Sequence, residues 1–285
     1  MRLVKQLGAV LVVAVPGSIA VQALHAWGHS FGLTLVVGVA IAALMVGMYR
    51  WVVRRTEHRR AAEVARAGAG SALARGVTVG MLIFTAVIGI IAVFGGYRVD
   101  GWGSPAAAAG FLGLTAVVVA SEELIFRGIV QRLLEERVGT WIALAVTAAL
   151  FGAVHLVNPH ATLWGAFAVA IEAGGMLGAA YVATRSLWLP MGLHFGWNFA
   201  VGGIFGTEVS GNEASKGLLD GATSGSTLFT GGAFGPEGSI IAVLACTIIT
   251  VALLRLAHQR GHIVRRRDVR PATTPTSAAP AAATV

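Results

Sequence analysis

A small set of ionisable and amide side chains interrupts three long apolar stretches of the sequence. They are Glu122, Glu123, Arg127, His155, His194 and Asn198. An ionisable side chain at the centre of a membrane helix costs about 3 kcal/mol on insertion scales, so such residues mark functional sites by default. Glu and His side chains serve as general acids and bases, and His and Asn side chains can donate hydrogen bonds to developing negative charge. The set therefore predicts a site for acid–base chemistry in apolar surroundings.

The first stretch holds two adjacent carboxylates that point in different directions. On a helix, Glu123 and Arg127 are four residues apart and share a face, so they can form an ion pair. Glu122 points about 100° away from Glu123, and the residue four positions after it is Phe126 rather than a basic residue. We therefore predict that Glu123 and Arg127 support the structure, as such pairs between helices often do, and that Glu122 faces a cavity and does chemistry.

The other two stretches supply an imidazole each and an amide. His194 and Asn198 are four residues apart, so both side chains point to one place from one helix. Together they can bind a metal ion or donate hydrogen bonds to an oxyanion. Each polar residue alone could be a hydrogen-bonded contact between helices. Glu122, His155, His194 and Asn198 taken together, from three separate stretches, favour one catalytic site.

The elements that position these residues are predicted to be membrane helices. Of the 285 residues, 56% are hydrophobic and 12% are charged, against about 45–50% and about 25% in soluble domains, and the mean hydropathy is +0.76. This composition excludes a water-soluble globule and a disordered chain. We predict an all-α, polytopic membrane helix bundle of about eight transmembrane helices, because a span needs about 20 mostly apolar residues. The candidate spans are 7–24, 32–53, 76–94, 106–130, 140–157, 162–184, 187–205 and 238–257.

The distribution of charge predicts the orientation. If both termini are cytoplasmic, all of the 21 basic residues except Arg98 and Lys216 fall in cytoplasmic segments or at cytoplasmic helix ends, as the positive-inside rule requires. The net charge of +8 is therefore explained by membrane loops, and no nucleic-acid partner is predicted. The single cysteine, Cys246, lies in an apolar run and forms no intramolecular disulfide or cysteine-rich metal site.

Five regions follow from this pattern. Residues 1–75 form a two-span hairpin and a basic cytoplasmic loop, 76–205 form the catalytic helical core, and 206–237 form a long external loop rich in Gly and Ser that is not expected to pack. Residues 238–257 form the last transmembrane helix, and 258–285 form a basic and then disordered cytoplasmic tail. Glu172, in the sixth span, is expected to pair with a basic group, to line the cavity, or to make a packing hydrogen bond.

The three motifs, in order and on successive helices, resemble those of a known membrane family. Glu-Glu-x-x-x-Arg at 122–127, Phe-x-x-x-His at 151–155 and His-x-x-x-Asn at 194–198 are similar to the motifs of the CPBP (CAAX protease and bacteriocin-processing, or Abi) family of intramembrane proteases. The runs 184–188 and 193–198 look like that family's last core helix. The resemblance covers roughly residues 76–205.

The resemblance implies an intramembrane endopeptidase acting on membrane-associated proteins or peptides. The first-motif Glu122 and the second-motif His155 would activate water, and His194 and Asn198 would stabilise the oxyanion. Members of the family have been described as metalloproteases and as glutamate-dependent proteases. Two His and one carboxylate suit zinc, so a zinc ion held by Glu122, His155 and His194 and a metal-free mechanism both stay open.

Two other classes of function compete with this interpretation. A non-catalytic membrane immunity or binding protein could use the same fold, but it has no need for the whole set of catalytic residue types. A transporter could relay protons through intramembrane Glu and His side chains, but the sequence lacks matching pairs of Gly/Pro-broken helices. The residue usage is typical of a bacterial chain, for which we expect the plasma membrane as location.

Overall fold

The computed structural model describes residues 1–27, 31–214 and 216–266. The predicted all-α membrane bundle is confirmed, with one small antiparallel sheet added. The predicted disordered tail lies mostly outside the described residues. In chain order the elements are α1 (Arg2–Trp27), α2 (Phe31–Glu57), α3 (Ala69–Val93), β1 (Tyr97–Trp102), α4 (Pro105–Glu123), α5 (Arg132–Val138), α6 (Thr140–Val154), α7 (Leu163–Val169), α8 (Gly178–Thr184), α9 (Trp188–Asn198), β2 (Leu219–Thr223), α10 (Thr227–Thr230) and α11 (Ile240–Gln259).

Three stretches of π-helix make the spans longer than single α-helices. Leu124–Gln131 joins α4 to α5, Ala170–Leu177 joins α7 to α8, and Phe199–Ile204 continues α9. Among the described residues, seven helices are long and apolar enough to cross a membrane. The remaining predicted span, 187–205, which is the seventh in chain order, is α9 with its six-residue π segment and is slightly shorter.

One predicted boundary is wrong. Residues 131–138, expected in a cytoplasmic loop, continue the fourth helix, which runs over Pro105–Val138. The chain turns only at Gly139, where φ is 81°, a conformation that glycine adopts without steric cost. The apolar pattern of the sequence could not locate the end of this helix, because its last turns follow the apolar stretch and carry charged side chains.

The helices differ in how much of their surface faces lipid. In the most apolar 18-residue stretch of α1, α2 and α11, only 17–22% of the stretch is buried inside the protein. In Leu163–Thr184 the buried share is 72%. The helix formed by α7 and α8 is therefore the central one of the bundle. Helices α1, α2 and α11 lie at its rim. Apolar side chains exposed on the rim are expected in a bilayer, where lipid rather than protein covers them.

Close helix packing positions the third motif. α3 and α9 each carry two glycines four residues apart, namely Gly76 and Gly80 in α3 and Gly192 and Gly196 in α9. A Cβ atom on Gly80 would lie 2.2 Å from the carbonyl oxygen of Leu193. The backbones can approach this closely only because the contact is built from small residues. The contact fixes the depth and rotation of α9, which carries His194.

Ion pairs join several segments at one end of the bundle. Arg132 of α5 contacts Glu57 at the end of α2 (2.7 Å), and Arg59 contacts Glu63 in the loop that follows (2.9 Å). The hydroxyl of Tyr49 lies 2.5 Å from Glu63. Burial alone would raise the pKa of the Glu63 carboxyl, but the hydrogen bonds from Arg59 and Tyr49 hold it below its usual value. The 58–68 loop is thereby tied to α2 and α5.

The same end also gathers the N-terminus, the α8–α9 turn and the segment after α11. Arg2 pairs with Glu136, and Arg185 pairs with Glu135. Arg185 also donates to the carbonyl of His262. The segments predicted to share one side of the membrane therefore lie together at one end of the fold, which we call the basic end.

The opposite end carries the Gly/Ser-rich segment, and the expectation that it would not pack is wrong for its described part. β2 pairs antiparallel with β1, with Tyr97 opposite Thr223. Phe234 and Glu237 are 2% and 3% exposed. The segment packs because its few apolar and acidic side chains find partners on distant helices, a feature that composition alone does not reveal.

The topology can be tested with single cysteines in a chain whose own cysteine is buried. With both termini cytoplasmic, a membrane-impermeant maleimide should label Glu213→Cys in intact cells, and should label Ala67→Cys only after permeabilisation. Both positions are exposed, so each can react once the reagent reaches it. Labelling in the reverse order would overturn the orientation.

Candidate active site

All four side chains predicted to be catalytic line one cavity of about 270 Å³. Glu122 enters it from α4, His155 from the 3-10 turn His155–Val157 after α6, and His194 and Asn198 from α9. The helical spacing of His194 and Asn198 was therefore interpreted correctly as one shared face. The geometry of the cavity follows from how each of the three motifs is anchored.

The first motif is anchored by a fully buried ion pair. Arg127 donates from Nη1 to Glu123 Oε1 at 2.8 Å, and the two side chains are 2% and 0% exposed. Arg127 also donates to the carbonyl of Ala173 at 2.5 Å, and its guanidinium lies 4.6 Å from the ring centroid of Phe151. The predicted supporting pair thus exists, and it connects the first helix of the site to the second motif and to the central helix.

Glu123 has a second partner that the sequence did not reveal. His194 Nδ1 lies 2.9 Å from the same oxygen, Glu123 Oε1. A carboxylate paired with an arginine can only accept, so Nδ1 carries the proton. The other ring nitrogen, Nε2, faces Glu122 Oε2 at 3.6 Å. His194 therefore lies between the two carboxylates, with one hydrogen-bonded to it and the other just beyond hydrogen-bond distance.

His155 is oriented by its own helix. Its Nδ1 lies 2.7 Å from the carbonyl oxygen of Phe151, one turn earlier. Because a carbonyl accepts and cannot donate, Nδ1 carries the proton in the neutral ring and Nε2 presents a lone pair. The Phe151 ring centroid is 4.8 Å from that of His155 and 6.2 Å from that of His194. The phenylalanine of the second motif is thus the apolar contact shared by both imidazoles.

π-helix accompanies the site in three helices. Leu124–Gln131 follows Glu123, Ala170–Leu177 contains Glu172, and Phe199–Ile204 follows Asn198. Such segments recur at functional sites because the wider turn changes the direction of side chains and frees carbonyls for tertiary contacts. The carbonyl of Ala173 that accepts from Arg127 belongs to one of them.

Two further carboxylates reach the cavity. Glu172 lines it, the second of the three roles foreseen for this residue, and its buried Oε1 has no hydrogen-bond partner among residues 1–27, 31–214 and 216–266. Glu237 accepts from the indole of Trp197 at 2.7 Å and from the hydroxyl of Ser210 at 2.9 Å. Burial raises the pKa of Glu237 although these hydrogen bonds oppose the rise.

Sequence reasoning missed Glu237 and Ser210 because both lie in the segment expected to be an unpacked loop. The sequence held only a weak sign that Glu237 belongs to the site. It lies in a Pro-Glu-Gly-Ser run directly before an apolar helix, and such a run is typical of an ordinary helix start. That reading is also correct, because Ser239 caps α11 by accepting from the backbone N–H of Ala242 at 3.1 Å. The tertiary fold gives the neighbouring Glu237 its place at the cavity.

The placement of the side chains does not form a zinc site. Across residues 1–27, 31–214 and 216–266, no group of three or more His, Cys, Asp or Glu side chains lies close enough to hold a metal ion. A structural or catalytic zinc needs at least three such ligands at about 2.0–2.3 Å. The set Glu122, His155 and His194 therefore does not fit zinc as it stands here.

The comparison with family models agrees with the resemblance drawn from the motifs. Residues 103–200 match the family described as type II CAAX prenyl endopeptidase Rce1-like, and all four cavity residues of the motifs fall within that range. A search of curated proteins and a search of solved structures found no match to the chain. Through this segment, which carries its candidate active site, the chain is similar to the CAAX protease (CPBP) family.

Proposed function

We propose that this protein is an intramembrane endopeptidase that hydrolyses peptide bonds of membrane-associated proteins or peptides. The observation that carries the proposal is the convergence of Glu122, His155, His194 and Asn198 on one cavity between membrane helices. The family match supports the same class of enzyme. We place the enzyme in the plasma membrane with both termini cytoplasmic.

In the proposed mechanism, Glu122 is the general base. It is the only carboxylate of the first motif that faces the cavity, and Glu123 is occupied by Arg127 and His194. A water molecule between Glu122 and the free Nε2 of His155 gives up a proton as its oxygen attacks the scissile carbonyl. The proton is then passed to the leaving amine, which is the usual division of labour in general acid–base catalysis.

The oxyanion is stabilised by His194 and Asn198. The Asn198 amide donates one hydrogen bond. For His194 Nε2 to donate another, the imidazole must carry both protons, and the positive charge is then flanked by Glu123 at 2.9 Å and Glu122 at 3.6 Å. The Glu123 carboxylate stabilises this state, while Glu122 holds the proton taken from the water molecule.

The non-catalytic alternative predicts a different use of the same cavity. An immunity or binding protein would bind a peptide without needing Glu122 as a base, so Glu122→Gln would leave its effect intact. A proton-relaying transporter would instead show substrate-linked proton movement and no new peptide termini. The experiments below separate these classes through their products.

Glu122→Gln should abolish hydrolysis and leave the folded yield nearly unchanged, because the amide keeps the size of the side chain and removes only the base. The measurement compares new protein N-termini in membranes of cells that make wild type or variant. Glu136→Gln, at the basic end and outside the cavity, is the matched control and should behave as wild type. If the new termini persist in Glu122→Gln, the assigned base is wrong.

Asn198→Ala should lower the rate of hydrolysis by about 10²–10³, the usual cost of removing one oxyanion donor. Metal content should not change, and activity should survive chelation, because we assign donor roles to both residues of the third motif. Metal analysis of purified wild type and His194→Ala is the second measurement. A stoichiometric zinc that disappears together with activity in His194→Ala would replace this mechanism by a metal-dependent one.

Arg127→Met should reduce the folded yield, with a cost of about 3–5 kcal/mol, because it leaves Glu123 buried without its cationic partner. The double variant Glu123→Gln/Arg127→Met removes both charges and should recover much of the lost stability in thermal unfolding. Equal destabilisation of the single and the double variant would contradict the structural role assigned to the ion pair.

A further inference from the structure

A groove on the far side of the catalytic helices leads to a cluster of arginines. α2 packs chiefly against α1 and α4, while α3 packs chiefly against α9. The two helices therefore stand apart as walls, and α4 and α9 form the floor. The apolar part of the groove has a volume of about 580 Å³, with Val46 and Val77 among its walls and Ala120 and Phe195 on its floor.

At the basic end the groove opens into a cavity of about 1210 Å³. Gly47, Arg50 and Arg66 line both spaces, so the two are continuous. Trp188 stands at the junction, where its indole N–H donates to the carbonyl of Ala65 at 2.7 Å. This bond joins the 58–68 loop to the start of α9 and holds the mouth in place.

The cavity at the mouth is strongly basic. It is lined by Arg50, Arg54, Arg55, Arg60 and Arg66 together with glycine, alanine and Trp51, and by no acidic side chain. Within the part of the chain that the structure describes, none of these five guanidinium groups forms an ion pair. Arg55 lies over the ring of Trp51 at 5.8 Å.

Neighbouring arginines behave differently. Arg59 and Arg132 belong to the same end of the molecule, and both are paired with Glu57 and Glu63. Glu57 and Glu63 are therefore already paired with these two arginines. Five like charges around one open space repel each other, so the cavity is complementary to an anion that the chain does not supply.

The apolar part matches one leaflet in length. Val39 and Arg50, both of α2, line its two ends, and eleven residues of helix span about 16 Å. Half of a hydrocarbon core is about 15 Å. One acyl chain can thus lie along the groove while its headgroup is at the level of the arginines.

We propose that this groove binds one anionic glycerophospholipid, with its phosphate among the five arginines and an acyl chain along the floor formed by α4 and α9. Basic pockets between membrane helices recognise such headgroups. The site is separate from the proposed peptidase chemistry. The bound lipid fills the space between α2 and α3 and supports the two helices that carry Glu122 and His194 from behind the cavity.

The test measures lipid retention by the purified full chain in native mass spectrometry. The probes are dioleoylphosphatidylglycerol, dioleoylphosphatidylcholine and inorganic phosphate. We expect one retained phosphatidylglycerol per chain, little phosphatidylcholine, and no displacement by millimolar phosphate. Arg50→Gln/Arg66→Gln should weaken phosphatidylglycerol binding by about thirtyfold, the factor for two cationic contacts of about 1 kcal/mol each.

Arg75→Gln/Arg137→Gln is the matched control, since it removes two charges outside the groove and should keep most of the affinity. Ala43→Phe, on the exposed wall of the groove, blocks the acyl chain without changing charge and should also reduce retention. If the arginine variant fails to fold, lipid retention by Ala43→Phe tests the proposal in its place. Equal losses in both arginine pairs, equal retention of the two lipids, or displacement by phosphate would overturn the proposal.

Discussion

The buried carboxylate of Glu123 is the contact on which the site depends. A charge inside a membrane bundle must be paired and hydrogen-bonded. Through one oxygen, Glu123 connects its own helix to two others, the central helix and the helix that carries His194. It accepts from Arg127, which in turn donates to the carbonyl of Ala173, and it receives the Nδ1–H of His194. The first motif, the central helix and the third motif are thereby held in one register. The adjacent Glu122, one residue earlier on the helix, is left facing the cavity.

This arrangement distinguishes the two adjacent glutamates through geometry rather than through residue type. Glu122 and Glu123 are neighbours in sequence, but the helix turns their side chains about 100° apart. Glu123 is therefore enclosed by protein, and Glu122 reaches the cavity. The close glycine contact between α3 and α9 sets the height of His194 relative to them. The π segments then reorient the following turns, which brings Glu172 to the same cavity. Each device is local, and together they bring these polar groups into one cavity of about 270 Å³.

The arginines of the basic end form two populations with different physical roles. Arg59, Arg132 and Arg185 are paired with glutamates and tie loops and helix ends together. The five around the groove mouth surround a cavity and form no ion pair with any described residue. A count of positive charges predicts membrane orientation and treats both populations alike. The distinction decides where an anionic headgroup can bind, and it depends on which carboxylates are within reach.

Sequence analysis alone predicted the helical membrane fold, the four residues that meet in the cavity and the pairing of Glu123 with Arg127. These features depend on apolar run length and on four-residue spacing, both of which are local along the chain. It also led to errors, because the helical end at 131–138 is polar and the packing of 206–237 depends on distant partners. The folded structure was needed to show that Glu123 holds His194, that Glu237 joins the cavity through Trp197 and Ser210, and that α2 and α3 stand apart around a groove. Such contacts join residues far apart in sequence, and no periodicity within a helix encodes them.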